Sequence, residues 1–491
     1  MPNFRPRDLL IAFTLVVGFA CGAVAHATQP ATVPTDSETP TRPNVLFIFA
    51  DDQCFDTIRS RGNTEIQTPN LDALVRRGTT FSHCYNMGSW SGAVCVASRT
   101  MLNTGRFVWS ANDVYDTSRR EMKEGRWWSQ YMRSAGYKTY MTGKWHVRAP
   151  AEESFDVVRD VRGGMPRQTK TGYNRPLADG TDPWDPSDPS FGGFWEGGKH
   201  WSEVVGDHGV EFLDMASNDD APFFMYLAFN APHDPRQSPQ EFVDRYPAAK
   251  IDVPKNFLPV YPHHDAIGCG PKLRDARLAP FPRTPSIVQK HRQEYYAIIT
   301  HMDQQIGRIL KALKDTGKSD NTYIVFTADH GLACGQHGLM GKQNLYDHSV
   351  RVPMMIVGPG IAADRVIDSP AYLQDAMATT LQWAGVEKPT HVDFHSLVPR
   401  LKDPSVPSPY KDLYGAYLKL QRSVRTDQYK LIVYPQANAV RLYDVKQDPL
   451  EMNDLAGQAS HRETINDLWN RLVRLQKQLG DDLVLDRSII D

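Results

Sequence analysis

The sequence predicts an α/β fold in which a large, mostly parallel sheet packs between helices, followed by a smaller C-terminal α+β part. Three short, continuous apolar segments, at 44–50, 221–230 and 321–328, have the composition of parallel strands buried on both faces. Amphipathic helical patterns separate these segments, as expected for parallel strands joined by crossover helices. Near the C-terminus the pattern changes to antiparallel strands, at 413–420, 421–434 and 440–443.

The N-terminus has the pattern of an export signal. Arg5 and Arg7 precede an apolar run over 9–20, and Ala25-His26-Ala27 fits a small-x-small cleavage site. The run is too short for a comfortable membrane span, so we expect an exported protein, periplasmic or secreted, with no transmembrane segment in its mature form. Lipoprotein anchoring at Cys21 is the alternative, although the aliphatic residue expected before the small pair is missing.

These features divide the chain into four parts. A signal peptide at 1–27 is followed by a Thr-, Pro- and Ser-rich flexible linker at 28–43. A catalytic domain is expected at 44–390 and a C-terminal α+β subdomain at 391–491. The formal net charge of −2 argues against nucleic acid as a partner, because that function needs a large basic surface. An anionic substrate must therefore be attracted by a local cluster of cations.

The first predicted strand, 44–50, ends on Asp51 and Asp52. Two adjacent carboxylates beyond a buried strand repel each other unless a cation lies between them. Ligands bind at the carboxyl ends of strands in open α/β sheets, which favours a metal site here. A helix N-cap with a neighbouring surface aspartate is the structural alternative.

The elements that follow are predicted from periodicity and from Pro and Gly at helix boundaries. Helices are expected at 68–78, 127–135, 295–313, 373–384 and 462–479, and further strands at 81–85, 137–142 and 352–358.

The segment Cys95-Val96-Ala97-Ser98-Arg99 places a thiol and a guanidinium at positions i and i+4, which share one face if a helix begins here. A helix N-terminus at this point would lower the pKa of the thiol and make it a nucleophile or a metal ligand. A buried core cysteine is the alternative.

Other chemically useful side chains also follow predicted strands or lie in loops: Lys144, His146, His233, Asp329, His330 and Lys342. Three carboxylates with little sulfur favour a hard cation such as Ca²⁺ or Mg²⁺ over zinc. Several cations with histidines suit an oxyanion such as sulfate or phosphate.

The segment 160–205 shows no clear periodicity, and a loop of this length in a compact domain is usually functional or disordered. A second long loop is expected at 236–286. The first carries Trp184, Trp195 and Trp201 and is a candidate sugar-binding wall, with a structural surface as an equal alternative. The candidate substrate-binding residues in these segments are Lys199, His200, Trp201, Arg236 and His264.

The cysteines do not form a Cys-x-x-Cys zinc pattern. Six are present, and Cys21 leaves with the predicted signal, so an odd number remains. Cys95 is the candidate unpaired thiol, and the sequence leaves the pairing of the other four undetermined: Cys54, Cys84, Cys269 and Cys334.

From Asn44 to the C-terminal segment 442–455, the chain resembles a type I sulfatase of the alkaline phosphatase superfamily. The family signature, Cys-x-Pro/Ala-Ser-Arg followed by Thr-Gly-Arg, is matched by Cys95 to Arg99 and by Thr104-Gly105-Arg106. Ala97 stands where proline is commoner. The resemblance implies an alkaline phosphatase-like fold and hydrolysis of a sulfate ester.

The resemblance also implies cofactors and roles. A maturation enzyme would oxidise Cys95 to formylglycine (3-oxoalanine), whose hydrate supplies the nucleophilic oxygen. Ca²⁺ would be bound by that side chain with Asp51, Asp52, Asp329 and His330, the last of which is often Asn in relatives. Residues that would hold the hydrate or the sulfate are Arg99, Lys144, His146, His233 and Lys342, with His233 as the candidate general acid.

The substrate expected from export and from the Trp-rich segment is a sulfated carbohydrate, such as a hexose or hexosamine unit of a polysaccharide. Two alternatives stay open: a phosphate or phosphonate ester hydrolase on the same fold, and a catalytically inactive protein that binds sulfated glycans.

Overall fold

The large sheet and the helices around it are seen in a computed structural model, which describes residues 14, 15, 18, 42–166, 169–177 and 179–490. The predicted signal peptide and linker, with the cleavage site and Cys21, therefore lie almost wholly outside the described residues. Arg42–Asp491 forms one compact unit. The domain boundary at 390 stays a prediction.

The strands within the described residues are, in chain order, β1 (Asn44–Ala50), β2 (Thr79–Phe81), β3 (Cys84–Tyr85), β4 (Gly88–Ser89), β5 (Lys138–Lys144), β6 (Val157–Arg162), β7 (Trp195–Glu196), β8 (Lys199–His200), β9 (Phe223–Ala228), β10 (Thr322–Ala328), β11 (Ala333–Cys334), β12 (Met340–Gly341), β13 (Arg351–Val352), β14 (Met354–Val357), β15 (Arg365–Ile367), β16 (Ala371–Tyr372), β17 (Leu413–Tyr417), β18 (Gln421–Arg425), β19 (Tyr429–Tyr434) and β20 (Ala439–Asp444).

The α-helices of the same part of the chain are α1 (Pro69–Arg77), α2 (Val94–Thr104), α3 (Val108–Tyr115), α4 (Ser118–Lys123), α5 (Trp128–Ser134), α6 (Ala151–Ser154), α7 (Trp201–Ser217), α8 (Gln240–Val243), α9 (Pro285–Asp315), α10 (Asp347–Val350), α11 (Asp375–Trp383), α12 (Val398–Lys402) and α13 (Arg462–Leu479).

The central sheet has eight strands in the order β15-β2-β14-β10-β1-β9-β5-β6. Every pair is parallel except those that β14 makes with β10 and β2. All seven residues of β1 are buried, as its continuous apolar sequence predicts for a strand covered on both faces. The predicted mostly parallel sheet between helices is confirmed.

The second sheet carries the C-terminal strands in the order β20-β19-β18-β17-β4. Its four C-terminal strands pair antiparallel, as predicted, and α13 packs against them. The fifth strand, β4, comes from the segment just before α2 and pairs parallel with β17. The C-terminal sheet is therefore hydrogen-bonded directly to the segment that leads into Cys95.

Several predicted elements differ from the observed ones. The strand expected at 81–85 is divided into β2 and β3, and the segment 421–434 forms two strands, β18 and β19. The helix expected from residue 295 begins at Pro285, where the Thr284 side chain accepts a hydrogen bond from the Ile287 N–H. The end of the supposedly irregular segment 160–205 is the first turn of α7, which the sequence analysis missed.

The five described cysteines are all free and buried. In the same described residues, no helix combines the length and apolar character needed to cross a membrane.

Candidate active site

The site begins at the carboxyl ends of four adjacent parallel strands, β10, β1, β9 and β5. Ala50 of β1 pairs in register with Ala328 of β10, so the residues that follow them, Asp51 and Asp329, emerge side by side. Lys144 is the last residue of β5, and His233 lies in the loop after β9. The sheet topology therefore brings together side chains that are far apart in sequence.

Two residues that follow strand ends have left-handed backbone conformations, which are uncommon for residues other than glycine. Asp52 has φ of 69° and His146 has φ of 53°. Such conformations cost free energy and are concentrated at functional sites. The turns after β1 and β5 are thus held in place by the surrounding structure.

Cys95 lies in the first turn of α2, with Arg99 one turn later on the same face, as the i, i+4 spacing predicts. The Cys95 thiol lies 3.3 Å from Asp51 Oδ1 and 3.7 Å from Asp52 Oδ1. α2 ends at Gly105, which adopts a left-handed conformation with φ of 71°. The helix therefore points the thiol at the paired carboxylates.

Arg99 is fully buried and bonds to two strand ends. Its Nε donates to Asp329 Oδ2 at 2.9 Å, and its Nη1 donates to the Lys144 carbonyl at 2.7 Å. Its guanidinium also lies 4.6 Å from the centre of the Phe49 ring. Arg99 therefore fixes α2 against β10 and β5.

Two lysines neutralise the adjacent carboxylates. Lys144 Nζ pairs with Asp51, and Lys342 Nζ pairs with Asp52. All four side chains are buried, so water screens their charges little. With Asp329 and Arg99, the cluster contains three carboxylates and three cations.

Burial dominates the ionisation of the first two carboxylates. It raises the pKa of Asp51 to about 8, and the neighbouring Asp329 adds to the shift. Burial also raises the pKa of Asp52 to about 6, although Lys342 opposes it. For Asp329, burial is outweighed by Arg99, Lys144 and Lys342, which hold its pKa below the usual range. Burial therefore opposes the ionised form of both carboxylates, and a further positive charge beside them would favour it.

The thiol of Cys95 is not activated, contrary to the sequence expectation. Burial, followed by the charges of Asp329 and Asp51, raises its pKa well above the ordinary value. The helix N-terminus is outweighed because the tertiary structure places carboxylates against the sulfur. A thiolate nucleophile is therefore disfavoured at neutral pH.

Three histidines surround the cluster. His233 Nε2 lies 3.6 Å from Asp52 Oδ2, and its Nδ1 donates to the Asp234 carbonyl at 2.7 Å. His330 Nδ1 donates to the Gly331 carbonyl at 2.8 Å. His146 Nδ1 is buried with no hydrogen-bond partner among the described residues. Burial lowers the pKa of His146 to about 2 and that of His330 to about 4, so both rings are neutral.

The donor atoms of this site fit a divalent cation. Ligand atoms of Asp51, Asp52, Cys95 and His233 all lie within 4.8 Å of one another and are buried. Two carboxylates whose pKa values are raised by burial gain most from a hard cation with oxygen preference. Asp329 and His330, the other predicted ligands, are not members of this compact group. Asp329 instead bonds to Arg99 and accepts a hydrogen bond from the Asp52 N–H.

The predicted substrate-binding residues all make contacts within the chain. Lys199 is exposed and pairs with Asp207 at 2.6 Å. His200 is buried and caps α7, with its Nδ1 accepting from the Ser202 N–H and its Nε2 donating to the Gln237 carbonyl. These contacts give His200 a structural role, and its contact with substrate stays a prediction.

The remaining three are also engaged within the chain. Trp201 lies under the Arg162 guanidinium at 3.7 Å. Arg236 is buried beside the Tyr295 ring, with Nε and one terminal nitrogen lacking a hydrogen-bond partner in the described part of the chain. His264 bonds to the Tyr261 carbonyl. Substrate binding by these residues stays a prediction.

Two further side chains, whose roles were not predicted, form hydrogen bonds to the backbone of the metal-site aspartates. Ser98 Oγ donates to the Asp329 carbonyl at 2.8 Å. The Tyr295 hydroxyl donates to the Asp52 carbonyl at 2.7 Å and accepts from the Cys54 N–H. Ser98 belongs to the Cys-x-Ala-Ser-Arg motif and was identifiable from it, whereas Tyr295 carries no local signal.

Comparisons with known proteins show the family to which the chain is similar. Residues 43–386 match the family model described as Sulfatase, and residues 335–478 match the one described as N-sulphoglucosamine sulphohydrolase, C-terminal. An N-acetylglucosamine-6-O-sulfatase of Bacteroides thetaiotaomicron is 26% identical, over 96% of this chain and 91% of that protein. An ulvan-active sulfatase of Formosa agariphila is 25% identical, over 97% and 88%.

Solved structures share the fold. One, a complex with its substrate D-glucosamine-2-N,6-O-disulfate, has a TM-score of 0.72 and 25% identity, covering 90% of this chain and 99% of that one. A phosphonate monoester hydrolase from Silicibacter pomeroyi has a TM-score of 0.69 at 22% identity, over 90% and 96%, which shows the fold alone.

Proposed function

The chain belongs to the sulfatase family, and from that premise we propose that it removes sulfate from a sulfated carbohydrate with residue 95 as the nucleophile. The observation that carries this proposal is the buried cluster in which Cys95 faces Asp51 and Asp52, with Lys144 and Lys342 alongside. A scaffold has no need to bury six charged groups together, because their desolvation is costly. An enzyme that binds both a divalent cation and a sulfate ester has a use for carboxylates as well as cations.

We propose that Cys95 is oxidised to formylglycine by a maturation enzyme. The raised pKa of its thiol supports this, because an unmodified Cys95 would be a poor nucleophile. Asp51 and Asp52, with residue 95, are the proposed ligands of Ca²⁺ that the compact donor group supports, whereas Asp329 and His330 are proposed as ligands from the family resemblance alone. A bound Ca²⁺ would offset charge on the sulfate oxygens, and the hydrate of a formylglycine at residue 95 would supply the oxygen that attacks sulfur.

The other side chains act on the sulfate group. Lys144 and Lys342 stabilise the charge that grows on the non-bridging oxygens, and Arg99 holds residue 95 and Asp329 in place. His233 is the candidate general acid for the leaving alkoxide of the sugar, which is otherwise a poor leaving group. Because its Nδ1 donates to the Asp234 carbonyl, Nε2 carries a proton only in the imidazolium, and burial and the nearby Lys342 disfavour that form by lowering the pKa of His233. His146, with Lys144, holds the nucleophilic side chain.

A sulfated hexose or hexosamine is the proposed substrate class. This proposal draws on the relatives of the chain, which include an N-acetylglucosamine-6-O-sulfatase and an ulvan-active sulfatase. Export, as proposed from the N-terminal sequence, would bring the enzyme to polysaccharides outside the cytoplasm.

The experiment combines peptide mass spectrometry with a paired activity assay. Protein made with a formylglycine-generating enzyme should show loss of sulfur and gain of an aldehyde oxygen at Cys95, together with hydrolysis of 4-nitrophenyl sulfate. Cys95→Ala and Cys95→Ser should lose nearly all turnover, whereas Cys84→Ala, another buried thiol outside the cluster, should keep it. Full activity in both Cys95 variants would refute the proposal.

The same assay separates the two alternatives. Faster hydrolysis of 4-nitrophenyl phosphate than of 4-nitrophenyl sulfate would indicate a phosphate or phosphonate ester hydrolase. Binding of a sulfated glycan without any turnover, with residue 95 shown to be modified, would indicate an inactive binding protein.

A further inference from the structure

A groove of about 540 Å³ lies beside the segment that leads into α2. Two indole rings, two leucines and polar side chains contribute to its lining: Trp90, Trp109, Leu418, Leu420, Lys419 and Asn112. Its volume is within the range of about 300–1,000 Å³ that is usual for ligand sites. None of these residues takes part in the proposed chemistry.

One wall of the groove is continuous with the nucleophile segment. Trp90 follows β4 directly and precedes Cys95 by five residues. Ser89 of β4 pairs with Tyr417 of β17, so Trp90 lies next to the turn at 418–420. The groove is thus built where the C-terminal sheet meets the start of α2.

The other wall is bonded to the Lys342 segment. The Gln421 side chain donates to the Gln343 carbonyl at 2.8 Å, and the Gln343 side chain donates to the Gly92 carbonyl at 3.4 Å. Gln343 is the residue after Lys342, and Gly92 is three residues before Cys95. Both walls are therefore fixed to segments that carry proposed catalytic residues.

Trp109 is held rigidly in the groove. Its Nε1 donates to the Tyr414 hydroxyl at 3.1 Å, and the Arg422 guanidinium lies 4.9 Å from the ring centre. Tyr414 and Arg422 both bond to Asp481, which fixes them in turn. A pre-ordered indole binds a flat apolar surface with little loss of conformational entropy.

The charges along the groove are mixed. Arg422 is neutralised by its two hydrogen bonds to Asp481. The exposed residues include one cation, Lys419, and two carboxylates, Asp113 and Asp482. An excess of positive charge, which a second sulfated unit would need, is therefore absent from the lining of this groove. Indole rings with hydrogen-bonding groups at the edge suit an uncharged sugar ring.

We propose that this groove binds a neutral hexose or N-acetylhexosamine unit joined to the sulfated unit. The enzyme then acts on an oligosaccharide in preference to a monosaccharide. This inference rests on the proposed sulfatase function, because the groove is assigned as a neighbouring subsite of that reaction.

The test compares three sulfate esters in wild type, Trp109→Ala and Trp90→Ala. These are 4-nitrophenyl sulfate, N-acetylglucosamine 6-sulfate and a keratan sulfate tetrasaccharide, in which the same sulfated unit alternates with galactose. Trp383→Ala is the matched control, because Trp383 stacks on Tyr323 at the start of β10, the opposite end of that strand from the site. A second measurement titrates each protein with the desulfated tetrasaccharide and records tryptophan fluorescence.

Wild type should bind the desulfated tetrasaccharide, and the Trp109 variant should bind it about tenfold more weakly. The groove variants should lose about tenfold in kcat/KM for the sulfated tetrasaccharide and retain hydrolysis of 4-nitrophenyl sulfate. No binding by wild type, or equal losses on all three esters, would overturn the subsite. Failure of wild type to cleave any sulfate ester would instead refute the proposed function, while the fluorescence titration would still decide whether the groove binds sugar.

Discussion

The His146 ring lies where a side chain at residue 164 would be, and Gly164 has none. The substitution Gly164→Ala therefore tests the position of His146 with a single methyl group. A Cβ at residue 164 would lie 2.4 Å from His146 Nε2, whereas ordinary van der Waals contact begins at 3.4 Å. In Gly164→Ala the imidazole must therefore move by about 1 Å. Gly163→Ala is the matched control, since nothing lies within 4 Å of a Cβ at that position.

The expected loss follows from the displacement. A shift of about 1 Å in a group that orients the reacting atoms can reduce turnover by about 100-fold. We expect Gly164→Ala to lower kcat/KM for 4-nitrophenyl sulfate by about 10- to 100-fold, and Gly163→Ala to leave it within about twofold.

Thermal unfolding distinguishes this effect from a folding defect. The displaced atoms belong to the end of a side chain, so the Tm of Gly164→Ala should stay within a few degrees of wild type. Equal activity in the two alanine variants would refute the placement of His146 at the reacting group. A large fall in Tm with a parallel loss of activity would refute the claim that the methyl acts locally.

Three further predictions concern buried charge. Urea titration in EDTA should show that Arg99→Ala lowers the free energy of unfolding by about 3–5 kcal/mol, because the substitution leaves buried carboxylates without a partner. Arg126 is partly exposed, so Arg126→Ala should lower it by less than about 1 kcal/mol in the same titration. Similar losses in the two variants would contradict this prediction. Lys342→Ala removes the lysine that pairs with Asp52, so added Ca²⁺ should raise the Tm of this variant more than the Tm of wild type. An equal rise in the two proteins would count against competition between Lys342 and Ca²⁺ for Asp52. Burial raises the pKa of Asp303 from 3.8 to about 6, so the native state holds a proton that the unfolded state releases between these pH values. Its contribution to stability therefore falls as pH rises through that window, and Asp303→Asn should gain stability relative to wild type between pH 4.5 and 6.5 in urea unfolding; a constant difference would refute the shift.

In the C-terminal sheet, the individual elements were predictable from local sequence patterns, but the pairing of distant strands was not. Alternating sequence predicted strands after residue 410, and α13 begins and ends at the predicted residues, because an amphipathic helix carries its own signal. The pairing of β4 with β17 joins segments more than 300 residues apart and leaves no trace in either segment alone. The groove that contains Trp90 exists only because of that pairing.

α7 was missed for a physical reason. Gly206 and Gly209 weaken its helical pattern, since glycine is a poor helix former. Both lie against α9: a Cβ at Gly209 would lie 2.8 Å from Ile309 Cγ1, and one at Gly206 would lie 2.9 Å from Gln305 Oε1, the end of a side chain that can move. The tertiary contact thus overrides the local preference.

The sequence by itself determined the buried strands, the residues at their ends and the family motif around Cys95. Continuous apolar runs and fixed spacings are local properties, and so they can be read without the fold. Only the tertiary structure decided the chemical state of those residues. Local reasoning placed Cys95 at a helix N-terminus and predicted a lowered pKa, but the sheet brings Asp51 and Asp329 against the sulfur and raises it. Electrostatic interaction depends on distances between segments and on burial, and neither is encoded in any one segment.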